Sequence, residues 1–218
     1  RWMGNEAGEA GDPCWATTDS VAIRDEAQYY KGLNEGMLDG DAYIPAETDV
    51  SIRPSWFYHA EEDSRVKSVR ELWDIYCTSV GRNSVLLLNF PPDRRGLIHP
   101  TDSLNAVSFH QRVQKELADN LLSSAKVSAF DERGGQFKVR AVTDGKYDTY
   151  WATNDGVTTA DLTFTFSQPT KMNRVMIQEY IPLGQRVKSF VVEYKKGDQW
   201  LSVKCNEETT TVGYKRLL

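Results

Sequence analysis

Apolar residues recur with helical spacing in two stretches of the chain, which flank one short and continuous apolar run. The first helical pattern follows Asp63 or Ser64, either of which could cap it, and Gly81 stops it. The second pattern begins at Thr101 or Asp102. We predict that its buried stripe consists of Leu104, Val107, Val113, Leu117 and Leu121.

The continuous run is SVLLLNF, residues 84–90, and a sharp turn, PPDRRG, follows it. A nearly all-apolar run of this length is typical of a strand that is buried on both faces, as in parallel sheets. Helix, buried strand, turn and helix in this order indicate an α/β barrel or a doubly wound sheet. For residues 1–60, which are rich in glycine and proline, we predict mostly loops.

Beyond residue 124 the pattern changes from α/β to all-β. The pieces FKVRAVTDG, ADLTFTFSQP, NRVMIQEYI, SFVVEYKKGDQW and WLSVKC are short and β-rich, with turn residues between them. This spacing predicts an antiparallel β-sandwich. We therefore divide the chain into an α/β domain, residues 1–123, and an all-β domain, residues 124–218.

Charge and composition exclude several classes of partner. Residues 1–60 hold eleven acidic side chains against four basic ones, within a net charge of −5. Nucleic-acid binding needs a basic face, so we predict no nucleic-acid partner. No apolar run approaches the ~20 residues of a membrane-spanning helix. The three cysteines and three histidines show no metal-ligand spacing, and we predict no metal and no cofactor.

Three stretches together resemble one family: WMGNEAGEAGDPCWAT, YIPAETDVSIRPSWFYH and SVGRNSVLLLNFPPDRRGLI. They resemble the C-terminal part of the catalytic (β/α)8-type barrel of bacterial α-L-fucosidases, glycoside hydrolase family 29. The NEAG phrase is nearest to the branch that prefers α-1,3 and α-1,4 linkages. The resemblance covers about residues 1–122.

The segment AVTDGKYDTYWAT is similar to the discoidin-like, galactose-binding sandwich that often follows such barrels. The resemblance implies that Trp151 packs in the core and that Asp144 and Asp148 lie near a structural cation site in relatives. We interpret these acids as turn residues and assign no metal. From the resemblance we expect the sandwich to continue beyond GYKRLL with further strands.

The family resemblance assigns a catalytic role to Glu6. A retaining glycosidase uses two carboxyl groups, one as nucleophile and one as general acid/base. Glu6 in GNEAG matches the position of the acid/base in this branch, and we expect Trp2 or Trp15 beside it. The nucleophile of the family is an Asp that precedes this segment, so we expect a missing N-terminal barrel segment.

Three further residues are candidate substrate-binding residues, and they lie in the stretch PAETDVSIRPSW. Glu47 is the rival candidate for the acid/base. We expect Glu47 and Arg53 either to form a buried ion pair or to bind sugar hydroxyls, since the planar Arg fork donates bidentate hydrogen bonds. Trp56 either packs on the apolar face of fucose or belongs to the core.

The polar residues around the continuous apolar run have structural interpretations. We interpret Arg82, Asp93, Arg94 and Arg95 as turn and docking residues, because the glycine-rich cradle of a phosphate site is absent. Asn83 and Asn89 flank the predicted strand, where their side chains can satisfy loop backbone groups.

The resemblance implies a retaining, exo-acting α-L-fucosidase that acts on a fucosylated oligosaccharide or glycoconjugate. It also implies a periplasmic or secreted location. The alternative is a carbohydrate-binding module or an inactive fragment, because one carboxyl group cannot carry out a double displacement.

Overall fold

The computed structural model of the chain describes residues 1–20 and 32–218, which form two compact units. The first unit joins Arg1–Lys115 to Met176–Leu218, and the second is Glu116–Val175. The loop prediction for residues 21–31 lies outside the described residues. In the described part of the chain the sheets are two-stranded and form no closed barrel.

The strands are short, and we number them in chain order. They are β1 (Thr17–Thr18), β2 (Ala42–Tyr43), β3 (Ala46–Ser51), β4 (Ser84–Asn89), β5 (Lys126–Ala129), β6 (Leu162–Thr165), β7 (Met176–Ile177), β8 (Glu193–Lys196), β9 (Gln199–Ser202) and β10 (Arg216–Leu217). Two longer helices are α1 (Val69–Thr78) and α2 (Pro100–Glu116). Short 3-10 helices are Ala60–Glu62, Leu121–Ser124, Gly135–Phe137, Val139–Thr143 and Ile181–Leu183.

Three parallel chain segments form the centre of the first unit. Strands β3 and β4 pair in parallel, with Ala46 opposite Ser84 and Ser51 opposite Asn89. On the other side of β3, residues 1–3 run in the same direction, since Trp2 forms a parallel bridge with Glu47. The predicted parallel strand at β4 is confirmed. Strand β3 itself lies in a region for which we predicted loops, and that prediction is wrong there.

The two faces of the β3–β4 pair have different environments. On one face of β3, Ala46, Thr48 and Val50 are buried. On the other face of β4, Val85 is 57% exposed and Leu87 is 52% exposed. The expectation that this strand is buried on both faces is therefore wrong, because the described residues leave the second face open.

Helix α1 begins later in the chain than predicted. Ser68, rather than Asp63 or Ser64, is its N-cap. The Ser68 hydroxyl accepts a hydrogen bond from the Glu71 N–H, and the Glu71 carboxylate accepts one from the Ser68 N–H. This reciprocal pair is a capping box, and it fixes the start of the helix.

Helix α2 contacts the rest of the unit through a different face from the predicted one. Leu104 is 66% exposed and Val107 is 56% exposed. The helix ends at Glu116, so Leu117 and Leu121 lie beyond it. The predicted apolar stripe is therefore wrong as the buried face of this helix.

The contacting face of α2 is largely polar and charged. The Asn105 amide donates to the Lys67 carbonyl oxygen at 2.9 Å. The ring of Phe109 meets the ring of Tyr76 edge-on, with centroids 6.2 Å apart. Residues three or four positions apart share a helix face, and this face carries Asp102, Asn105, Phe109 and Arg112.

The PPDRRG turn is organised by Asp93, as predicted. Its carboxylate accepts hydrogen bonds from the N–H groups of Arg95 and Leu97 and from the Arg95 guanidinium. The hydrogen bond from the Arg95 side chain is the main cause that lowers the pKa of Asp93 to about 2. The interpretation of Asp93 and Arg95 as turn residues is confirmed.

The C-terminal strand belongs to the first unit. Strand β10 pairs antiparallel with β7, and the Leu217 N–H donates to the Gly81 carbonyl oxygen. The β8–β9 pair is also antiparallel. Antiparallel pairing in this part of the chain agrees with the predicted sandwich.

The second unit contains the antiparallel pair β5–β6. The β-rich prediction for FKVRAVTDG, residues 137–145, is wrong, because two consecutive 3-10 helices, Gly135–Phe137 and Val139–Thr143, occupy this part of the chain instead. Gly134 and Gly135 both have positive φ values, so the chain turns there rather than continuing as a strand. The Trp151 indole N–H donates to the Asp131 carbonyl oxygen at 3.0 Å.

None of the helices in the described part of the chain combines the length and the apolar character that a membrane crossing requires.

Candidate active site

The carboxyl ends of the three parallel segments lie at the same edge of the first unit. In α/β folds, catalytic and ligand-binding groups follow the carboxyl ends of parallel strands. Residues 1–3 lead to Glu6, β3 leads into residues 52–58, and β4 ends at Asn89. The sequence-predicted candidates Glu6 and Trp56 both belong to this edge.

Glu6 and Trp56 are brought into direct contact across 50 positions of sequence. The Trp56 indole N–H donates to the Glu6 carboxylate at 2.7 Å. Glu6 is exposed and Trp56 is half-buried. Trp2 and Trp15, which we expected beside Glu6, have other environments. The Trp2 indole N–H donates to Asp49, and Trp15 is buried.

The backbone around Trp56 is fixed from two sides. The Asn89 amide donates to the Trp56 carbonyl oxygen at 2.9 Å and to the Ser51 hydroxyl at 3.1 Å. The Ser55 hydroxyl donates to the Glu62 carboxylate at 2.6 Å, and this hydrogen bond is the main cause that lowers the pKa of Glu62. The predicted role of Asn89 in satisfying loop backbone groups is confirmed.

Arg53 is completely buried directly after β3. Its guanidinium donates two hydrogen bonds to Asp102, at 2.8 and 2.9 Å, and one to Asp63 at 2.9 Å. Its charge also lies 4.8 Å from the centre of the Tyr58 ring. The hydrogen bonds that Arg53 donates to Asp102 are the main cause that raises the pKa of Arg53.

These contacts correct two expectations about Arg53. The ion pair with Glu47 is not formed, because Asp102 and Asp63 occupy the guanidinium instead. A fully buried side chain with these partners also has no surface with which to bind a sugar hydroxyl. In the structure Arg53 anchors residues 52–58, the loop that carries Trp56.

Glu47 lies in the middle of the three parallel segments with its side chain exposed. Its N–H donates to the Arg1 carbonyl oxygen at 2.7 Å, and its carbonyl oxygen accepts from the Met3 N–H at 3.0 Å. The backbone of Glu47 thus joins the first segment to β3. Its carboxylate is on the same open face as Val85, the residue opposite it in β4.

Sequence reasoning missed Asp49, a second carboxylate on this face. Asp49 is two positions beyond Glu47 in β3, and alternate residues of a strand share a face. Its side chain accepts a hydrogen bond from the Trp2 indole N–H at 2.6 Å. The alternation of residues along ETDVS could have placed Asp49 on the same face as Glu47. That inference requires a strand at these residues, and we predicted loops there.

Glu6 belongs to an irregular segment, residues 4–14, which we call the Glu6 loop. The Asn5 side chain organises its turn, because it accepts from the Ala7 N–H and donates to the Glu9 carbonyl oxygen, both at 3.0 Å. Gly8 has a φ of +70°, and a Cβ there would lie 2.9 Å from side-chain atoms of Val50. Only glycine fits this point, where the loop returns against β3.

Within the part of the chain that the structure describes, no group of three or more His, Cys, Asp or Glu side chains could hold a metal ion. Asp144 has turn contacts: its carboxylate accepts from the Thr149 hydroxyl at 2.7 Å and from the Lys146 N–H at 2.9 Å. The Thr149 hydrogen bond is the main cause that lowers the pKa of Asp144.

Two family models match the chain. The alpha-L-fucosidase model matches residues 6–114, and the F5/8 type C domain model matches residues 124–217. The first match contains Glu6, Glu47, Arg53 and Trp56.

Similar proteins carry the same family name. Alpha-L-fucosidase 1 of Arabidopsis thaliana is 38% identical over 225 residues, covering 100% of this chain and 43% of that protein. The crystal structure of a Bacteroides thetaiotaomicron protein assigned as an alpha-L-fucosidase is 63% identical, with a TM-score of 0.94 over 100% of this chain and 48% of the other.

A third relative has been solved with a sugar. It is an aspartate-to-alanine variant of a Ruminococcus gnavus fucosidase in complex with fucose, 32% identical, with a TM-score of 0.87 over 100% of this chain and 44% of that one. The chain therefore spans less than half the length of these relatives.

Proposed function

Because this chain belongs to the alpha-L-fucosidase family, we propose that it is the C-terminal part of a retaining, exo-acting α-L-fucosidase with Glu6 as general acid/base. The observation that carries the proposal is the Glu6–Trp56 hydrogen bond at the carboxyl ends of the parallel segments. This is the edge at which barrel enzymes bear their catalytic groups.

In this proposal Glu6 acts in both halves of a double displacement. Its carboxyl group protonates the glycosidic oxygen while the leaving group departs, and its carboxylate then removes a proton from the water that attacks the fucosyl-enzyme. The exposed Glu6 side chain can reach a substrate. The Trp56 indole N–H holds the carboxylate oxygen that does not exchange the proton.

We place the nucleophile, an Asp, N-terminal to the present chain. In retaining enzymes the two carboxyl groups are about 5 to 5.5 Å apart. The chain spans less than half the length of its relatives, which leaves room for a carboxyl group outside it. The replacement of an Asp in the Ruminococcus gnavus fucose complex fits an Asp as that group. The open face of β3 and β4 supports a larger barrel in the whole protein.

The substrate is a fucosylated oligosaccharide or glycoconjugate, with a preference for branched α-1,3 and α-1,4 linkages. Exposed Glu47 and half-buried Trp56 are the substrate-binding candidates that remain, and Trp56 supplies an apolar ring for the face and methyl group of fucose. A periplasmic or secreted location fits such glycans. We keep residues 124–218 as a discoidin-like sandwich domain that follows the barrel.

A second candidate function is glycan binding without hydrolysis. The F5/8 type C match at residues 124–217 favours it, since that domain has no need of the barrel's carboxyl groups. Turnover distinguishes the two: a protein that binds fucosylated glycans but never releases fucose is a binding protein.

The test uses the full-length product of the gene and an aryl α-L-fucoside. Turnover by the wild type supports hydrolysis. Glu6→Ala should lower kcat by about 10² to 10⁴-fold. Added azide should restore kcat for an aryl fucoside with a good leaving group, because azide attacks the fucosyl-enzyme and needs no general base. Glu47→Gln is the matched control, which should raise KM, leave kcat nearly unchanged and show no azide effect. Wild-type rates in Glu6→Ala would remove Glu6 from the role.

A further inference from the structure

The far end of the Glu6 loop is held by a segment close to the C-terminus, residues 205–217, which we call the C-terminal clamp. We propose that the clamp positions the general acid/base through two ionic contacts, Arg216 with Asp12 and Glu207 with Arg82. The inference rests on the proposed role of Glu6. Both the Glu6 loop and the clamp belong to the first compact unit.

The first contact is a hydrogen-bonded ion pair between a fully buried arginine and a partly buried aspartate. Arg216 is completely buried, and its guanidinium donates to the Asp12 carboxylate at 2.5 Å. The other Asp12 oxygen accepts from the Glu208 N–H at 2.9 Å. Burial alone would raise the pKa of Asp12, but the hydrogen bonds from Glu208 and Arg216 outweigh it and lower the pKa. Asp12 is therefore ionised and fixed at neutral pH.

The second contact runs through Arg82, which bridges the clamp and the Glu6 loop. Its guanidinium donates to both oxygens of Glu207, at 2.6 and 3.1 Å. The same guanidinium donates to the Ala10 carbonyl oxygen at 2.9 Å and to the Glu9 carboxylate at 3.3 Å. One Arg thus ties the clamp to the loop three and four positions from Glu6.

Backbone groups close the contact between the two segments. The Asn83 amide donates to the Cys14 carbonyl oxygen at 3.1 Å and accepts from the Tyr214 N–H at 2.7 Å. The buried Thr211 hydroxyl accepts from the Cys14 N–H at 3.2 Å. The last residue of the Glu6 loop is thereby fixed on both sides.

These ionic contacts are better suited to positioning the Glu6 loop than to stabilising the fold. A buried ion pair contributes little net stability over an apolar pair of the same volume, because desolvation offsets the attraction. It does fix geometry, and proton transfer requires the carboxyl group within hydrogen-bond reach of the glycosidic oxygen. A misplacement of about 1 Å can cost about 10²-fold in rate.

The experiment compares two aryl fucosides in the full-length protein. Chloronitrophenolate leaves readily and needs little protonation, whereas phenolate needs the general acid. Asp12→Asn and Glu207→Gln should each lower kcat/KM for phenyl fucoside by about tenfold and for chloronitrophenyl fucoside by less than about twofold. Glu207→Gln is the second variant in case Asp12→Asn unfolds at the assay temperature.

Two controls separate the inference from the proposed function. Glu6→Ala should show a larger dependence on the leaving group than the two clamp variants do. If Glu6→Ala shows no such dependence, Glu6 is not the general acid, and the proposed function fails independently of the clamp. Arg174→Gln breaks an ion pair with Glu116 inside the second unit. It should leave the ratio of kcat/KM for the two fucosides unchanged. An equal loss with both substrates, or no loss, in folded Asp12→Asn and Glu207→Gln would overturn the positioning role.

Discussion

The contact between Glu6 and Trp56 differs from the contacts that anchor the loops bearing them. Glu6 is exposed, and its carboxylate accepts a hydrogen bond from the Trp56 indole N–H. The two loops are anchored by fully buried arginines, Arg53 paired with Asp102 and Arg216 paired with Asp12. If Glu6 is the acid/base, as proposed, its carboxylate lies at an accessible point while buried charges fix the loops on either side of it.

The largest effect on stability should come from removing a buried anchor. Arg53→Met leaves the fully buried Asp102 carboxylate without its partner, so we expect the free energy of unfolding to fall by about 3 to 5 kcal/mol. Urea denaturation at pH 7 measures it. Glu6→Ala is the comparison variant and should change stability by less than about 0.5 kcal/mol. Equal losses in the two variants would contradict the division between anchor and site.

A smaller effect should follow from the contact itself. Trp56→Phe keeps the ring but removes the indole N–H, and a hydrogen bond to a charged group is worth about 1.5 to 3 kcal/mol, less at an exposed site. We expect kcat/KM for phenyl fucoside to fall about tenfold, with little change in melting temperature. An unchanged rate would show that the hydrogen bond does not orient Glu6.

The smallest effect concerns Asp93, whose carboxylate accepts hydrogen bonds from Arg95 and Leu97 in its own turn. Its folded pKa of about 2 lies below its ordinary value, so its contribution to stability is present above about pH 4 and is lost as the pH falls toward 2. Asp93→Asn should therefore be less stable than wild type at pH 7. The difference in free energy of unfolding between the two proteins should be smaller at pH 2.5. Urea titrations at both pH values measure this, and a constant gap would contradict the assignment.

Local signals in the sequence predicted part of this arrangement. The apolar run predicted strand β4. The polar residues at the ends of this strand, Asn83 and Asn89, satisfy loop backbone groups as expected. Ser68 and Glu71 form a capping box that was visible as S-x-x-E, yet the helix start was assigned to earlier residues. Local patterns are reliable where the partner is a few residues away.

Pairings between residues far apart in the chain could not be predicted from the sequence. Arg53 pairs with Asp102 across 49 positions, and nothing in the pattern distinguishes Asp102 from Glu47 as its partner. The same pairing explains the error in α2, where a charged face, not the apolar stripe, contacts the unit. Which of several Trp side chains would meet Glu6 also depended on how β3 and the Glu6 loop come together.

The role of Glu6 is tested most sharply by the product that the Glu6→Ala variant forms in the presence of azide. An acid/base variant still makes the fucosyl-enzyme, and azide then attacks it from the face that water would use, which gives α-L-fucosyl azide with retained configuration. Proton NMR of the product assigns the anomer. A general acid/base role for Glu6 predicts the α-azide. A β-azide would make Glu6 the nucleophile, and no fucosyl azide from a folded variant with wild-type turnover would show that Glu6 is not a catalytic residue.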